Sequence, residues 1–169
     1  MNRPRILIAG VGNIFLGDDG FGVEVAQRLA ARNLPPEVSV KDFGIRGFDL
    51  AYALMESYEL TILVDACSRG GAPGTVYLIE PDPVVASQPG LPQLEPHGMN
   101  PMKVLRLVKS LGGTAGRVLI LGCEPAELGS DHDGQLGLSE PVQAAVGDAM
   151  AMIETLVAKI LDGEPVEVS

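Results

Sequence analysis

Five short apolar runs set the rhythm of the chain. Ile6-Leu7-Ile8-Ala9 is continuous and stops at Gly10, and Leu60 to Val64 repeats the pattern further along. Unbroken runs of this length suit strands buried on both faces, as in a parallel sheet. Val38 to Phe43 alternates more visibly, Thr75 to Ile79 follows the turn signal Ala72-Pro73-Gly74, and Val118 to Leu121 completes the set.

Helical periodicity fills the intervals. Phe21, Val25 and Leu29 form one stripe, and Leu50, Ala51, Leu54 and Met55 form a shorter one. Asn100-Pro101 is a helix start, with Asn as cap and Pro in the first turn. Beyond it Leu105 and Val108 face inward while Lys103, Arg106 and Lys109 face water. Ser139 is expected to cap the last helix, whose stripe runs Val142, Val146, Ala149, Ile153, Leu156, Ile160. Strands alternating with helices predict an α/β three-layer sandwich: a twisted, mostly parallel five-stranded sheet with helices on both faces. The link from Ser68 to Gly74 is too short for a crossover helix, so the fourth strand is expected to run antiparallel, at an edge. Pro81 to Pro96 and Glu124 to Gly137 read as long surface loops, and the tail after Leu161 reads as frayed.

Composition narrows the function. At 169 residues the chain fits one domain, spanning 1–169 with a core from about 4 to 161, and 46% hydrophobic residues exclude disorder. Twelve basic against 22 acidic residues leave a formal charge of −10, which repels nucleic-acid phosphates and anionic membranes. No run reaches the ~18 apolar residues of a membrane span, and the amino-terminal apolar run is too short for a signal peptide. A soluble cytoplasmic protein with neither nucleic acid nor membrane as partner is expected. Cys67 and Cys123 are the only cysteines, and a chain able to bury a core has no need to bridge them.

In open α/β sheets ligands bind beyond the carboxyl ends of the strands. Three chemically useful residues stand there: Asp19 after the first strand, Asp65 after the third, and His97 just before the third helix. Two carboxylates and an imidazole form a first shell suited to Zn, Mn or Ni with positions left open. Each has a plainer reading. Asp19 is also an acid favoured at a helix N-terminus, Asp65 a turn cap, and His97 a structural histidine. His132, between Asp131 and Asp133, reads as a solvated loop residue. Cys67 lies two residues beyond Asp65, but no Cys–His spacing supports a nucleophile. Gly10 and Gly12 begin a dinucleotide fingerprint that fails at Phe15, leaving Asp42 as a weak counterpart of the acidic ribose ligand. The serine elbow, the P-loop and HExxH are all missing.

The run from Gly10 to Gly22, with its GxGN turn and its acidic pair Asp18-Asp19, resembles the amino-terminal signature of the NiFe-hydrogenase maturation endopeptidases. The likeness continues at Leu63-Val64-Asp65-Ala66, Ala72-Pro73-Gly74-Thr75, Pro96-His97-Gly98 and Gly122-Cys123-Glu124-Pro125. It implies an endopeptidase that removes the C-terminal extension of a hydrogenase large-subunit precursor after nickel insertion. The partner would be that precursor. The metal-binding residues would be Asp19, Asp65 and His97, while the resemblance assigns no separate catalytic residue. It also implies no tightly bound cofactor: nickel comes with the substrate, and zinc or cadmium would fit the same ligands. A non-proteolytic nickel or zinc carrier using the same three residues is the alternative. Two departures stand out. The first ligand is often Glu in the family and is Asp19 here, and Asp42-Phe43-Gly44-Ile45-Arg46-Gly47 replaces a segment closer to Asp-Gly-Gly-Thr.

Overall fold

The computed structural model describes residues 3–82, 100–126 and 136–168. Five strands, β1 (Ile6–Val11), β2 (Val38–Gly44), β3 (Leu60–Ala66), β4 (Val76–Ile79) and β5 (Arg117–Cys123), form one sheet in the order β2-β1-β3-β5-β4. All neighbours are parallel except β4, which runs antiparallel to β5 at the edge, as the short link requires. The two continuous apolar runs became the central strands. Every residue of β1 is buried, and so is β3 up to Asp65.

Among the described residues four α-helices cover the sheet: α1 (Phe21–Ala30), α2 (Gly47–Leu54), α3 (Pro101–Ser110) and α4 (Glu140–Leu161). Alternate strand residues feed two cores. Ile6, Ile8, Ile62 and Leu119 pack with α1 and α4 on one face. Leu7, Ala9, Leu63 and Ile120 pack with α2 and α3 on the other. Each fully buried Leu or Ile contributes about 1.5–3 kcal/mol, so the pleat itself fixes which helix covers which face. The sequence-predicted three-layer sandwich is the one observed.

Asn100 caps α3 as expected, its side chain accepting from the Met102 amide at 2.9 Å. Ser139 occupies the capping position of α4, but its side chain makes no capping bond there. The tail is not frayed throughout: Val166 is buried against the first core, and its carbonyl accepts from the Arg117 guanidinium at 3.1 Å.

A sheet in this order has a switch point between β1 and β3. The chain leaves β1 through α1 towards β2, then returns through α2 on the opposite face to reach β3. The diverging connections open a crevice at the carboxyl ends of these two strands.

Candidate active site

Two glycines let α1 start inside that crevice. A Cβ on Gly22 would lie 1.9 Å from the Val64 carbonyl oxygen and 2.5 Å from that of Val11, so only glycine lets the helix sit against both central strands. Gly12 has φ +139°, and a Cβ there would meet the Asp19 carbonyl oxygen at 1.8 Å. Gly10 and Gly12, which open the dinucleotide reading, thus serve close packing instead: a Cβ on Gly10 would lie 2.5 Å from the Gly22 carbonyl oxygen of α1, and Gly12 lies against the Asp19 turn. Asp42 is likewise committed locally, its carboxylate accepting from the Gly44 amide at 2.8 Å, while the Gly12 amide donates to the Gly44 carbonyl at 2.9 Å.

Asp18 and Asp19 form a single 3-10 turn, Asp18–Gly20, directly before α1. Asp19 is part-buried, and its Oδ2 accepts from the Asn13 amide at 2.8 Å. Burial raises its pKa above the ordinary carboxylate value, against the lowering effect of that amide. Asp65 closes β3 and is 6% exposed, with Oδ1 accepting from the Ala66 amide at 2.8 Å. Its pKa is raised well above the usual value, first by burial and then by the charge on Asp19, with the Ala66 amide opposing. The crevice therefore brings together two acids from separate crossovers, each made more basic by its surroundings.

His97, the third residue singled out in the sequence, lies outside the described residues, as does His132. Among the described residues no set of three His, Cys, Asp or Glu side chains converges to hold a metal ion.

Cys67 and Cys123 are both free thiols. Burial raises the Cys67 pKa, the Arg69 charge lowers it, and Asp65 and Glu124 raise it again. Cys123 is pushed up to about 11 by burial, then by Asp18 and Glu124. Neither is poised as a thiolate nucleophile at neutral pH.

Sequence reasoning missed two acids of the same rim. Glu124, assigned to a polar surface loop, is 5% exposed. Its Oε1 accepts from the Arg69 and Gly71 amides, both at 2.8 Å, and from the Tyr77 hydroxyl at 2.9 Å. Its pKa is lowered, first by the Arg69 amide, with the Gly71 amide and Tyr77 adding to the effect against burial. Glu124 thereby shapes the β3–β4 link, over which Arg69 also lies against the Tyr77 ring. Asp18, completely buried, accepts from Ala126 and Ser139. The only early sign of either was position: Asp18 precedes a candidate ligand, and Glu124 directly follows a strand.

Apolar side chains lie exposed beside the carboxyl ends of β1 and β2. Phe15 is 60% exposed, and Ile14, Ile45 and Phe48 are similarly open. A cavity of about 300 Å³, lined by residues including Glu80, Leu105, Lys109 and Arg117, lies instead at the start of β5, at the other end of the sheet. No described helix is long and apolar enough to cross a membrane.

Comparison with known proteins agrees with this architecture. The family model described as hydrogenase maturation protease matches residues 23–156. The Hydrogenase 2 maturation protease of Escherichia coli is 28% identical over 150 residues, covering 88% of each chain. A hydrogenase 2 maturation peptidase from Thaumarchaeota archaeon SCGC_AB-539-E09 superposes with a TM-score of 0.68 at 31% identity, covering 91% of this chain and 98% of its own. The hydrogenase maturating endopeptidase HybD of E. coli superposes at 0.72 with 26% identity, covering 92% and 93%. With a family match over most of its length and relatives of the same fold, this chain belongs to the hydrogenase maturation protease family and is a peptidase.

Proposed function

We propose that the protein removes the C-terminal extension of a NiFe-hydrogenase large-subunit precursor once nickel has been inserted, and that it recognises the nickel through Asp19, Asp65 and His97. The observation that carries the reading is the meeting of Asp19 and Asp65 at the switch point, where burial and mutual repulsion make the metal-free pair costly. A divalent cation delivered by the substrate relieves both effects, because it replaces repulsion between two anions with attraction to each. His97 enters through the family resemblance and would complete a carboxylate–carboxylate–imidazole set with open positions.

The same two acids suit the hydrolytic step. A carboxylate of raised basicity can accept a proton from an attacking water, and a cation beside the scissile carbonyl would polarise it. The cation belongs to the precursor, so cleavage is conditional on metal loading. The protein itself keeps no permanent metal, although zinc or cadmium would fit the same ligands. The exposed Ile14, Phe15, Ile45 and Phe48 give a protein substrate apolar surface next to the acids.

The test is to incubate the protein with nickel-loaded and nickel-free precursor and weigh the product. Shortening of the loaded precursor alone is expected, with Asp65→Asn and His97→Ala folded but inactive. Metal binding without shortening would identify a nickel or zinc carrier instead, and normal processing by both variants would reject the ligand assignment.

A further inference from the structure

Asp18 takes no part in that reading, yet it is the described carboxylate with no exposed surface. Its Oδ1 accepts from the Ser139 amide at 2.7 Å. Its Oδ2 accepts from the Ala126 amide at 2.8 Å and the Ser139 hydroxyl at 2.9 Å. Ala126 follows β5 and Ser139 precedes α4, so one side chain ties the turn before α1 to both flanks of the β5–α4 connection. The Ser139 hydroxyl is turned towards Asp18, to which it donates, and accepts no capping bond from α4. The carboxylate also lies at the N-terminus of a 22-residue helix, where negative charge is stabilised.

Asp19 is the next residue of the same 3-10 turn, and its side chain instead meets the Asn13 amide and exerts its charge on Asp65. A three-residue 3-10 turn supports itself weakly, and Gly17 before it offers no side-chain cap. The direction in which Asp19 points must therefore be set from outside the turn. We propose that Asp18 is a positioning residue: its hydrogen bonds to Ala126 and Ser139 hold the turn so that Asp19 presents its carboxylate beside Asp65. The functional meaning of this inference rests on the metal-recognition role proposed for Asp19; its geometry rests on the hydrogen bonds alone. In the acidic pair, the first acid anchors and the second acts.

The Asn13 amide reports the orientation of Asp19 directly, without metal or precursor. In Asp18→Asn, an amide nitrogen replaces one acceptor, and Asn13 is expected to exchange its proton about tenfold faster than in the wild type, while core amides such as Ile8 and Ile62 keep their protection. The KM for nickel-loaded precursor should rise by about the same factor with kcat less affected. If Asp18→Asn does not fold, Ser139→Ala, which removes the hydroxyl bond and leaves the two amide bonds to Ala126 and Ser139, should speed Asn13 exchange about threefold. Wild-type Asn13 exchange in the folded Asp18→Asn variant, or in Ser139→Ala where the first does not fold, overturns the proposal. Processing of loaded precursor by Asp65→Asn would sink the metal-recognition reading and leave the Asn13 result standing, so the two failures are distinct.

Discussion

The charge on Asp19 raises the proton affinity of Asp65, although the two acids arrive on different crossovers of the sheet. Each also receives a single short hydrogen bond from a nearby backbone amide, Asn13 for one and Ala66 for the other. Those amides offset only part of the cost of burial, so holding both acids charged is costly to the fold.

That cost should be visible in stability. The folded chain holds the Asp65 proton more tightly than the unfolded chain, so stability falls as pH climbs from the ordinary carboxylate range through the raised pKa. Asp65→Asn keeps the acceptor for Ala66 and removes the charge. Without metal at pH 7 it should melt higher than the wild type, by about 2–4 °C per kcal/mol recovered, with the gap closing towards about pH 4. Thermal melts across that range decide it, and a lower melting temperature for the variant at pH 7 contradicts the account.

Gly22→Ala should be among the most damaging small substitutions. The added methyl meets backbone oxygens of both central strands, and overpacking of this kind costs about 2–3 kcal/mol or more. Gly147 is the contrast: it is exposed within α4 with nothing within 4 Å of an added Cβ. Gly147→Ala should stabilise by about 0.5–1 kcal/mol. Paired urea titrations check both signs.

Glu124 should govern the β3–β4 link through its charge. Its pKa is lowered by the Arg69 and Gly71 amides and by Tyr77, so its contribution is present above the unfolded carboxylate pKa of about 4.3 and is lost as pH falls through the folded value. Glu124→Gln should speed amide exchange at Arg69 and Gly71 at pH 7, and acidifying the wild type should do the same. Unchanged protection at both amides in the variant would refute this role.

Cys67→Ala should leave precursor processing at the wild-type rate, since burial keeps this thiol protonated. Alkylation of Cys67 by iodoacetamide at pH 8 should run slower than that of a free cysteine of pKa about 8.5. Loss of processing in the alanine variant would return the thiol to the reaction.

Much of this was legible in the residues themselves. Continuous runs such as Ile6 to Ala9 mark central strands because burial on both faces leaves no polar alternation, and the shortness of the Ser68–Gly74 link was enough to reverse β4. That Asp19 and Asp65 come near each other was readable from position, because both follow the carboxyl ends of strands that flank the switch point. The supporting acids were not readable. Asp18 and Glu124 look like surface carboxylates until Ser139, Ala126 and Arg69 are brought to them from distant parts of the chain. The hydroxyl of Ser139 fits two bonding patterns equally well in sequence, and only the packed structure chooses between them. Val166 reads as frayed tail because one apolar residue carries no periodicity, yet it finds the core beside Arg117.

Because the crevice lies where successive connections diverge, it is incomplete in a partly assembled chain. A nascent chain that has paired β1 with β2 holds Asp19 without its companion, and only docking of β3 supplies Asp65. On the proposed reading, half-made copies of the enzyme would lack the paired acids that engage immature targets, and the proteolytic capacity of a population would count only its completed molecules.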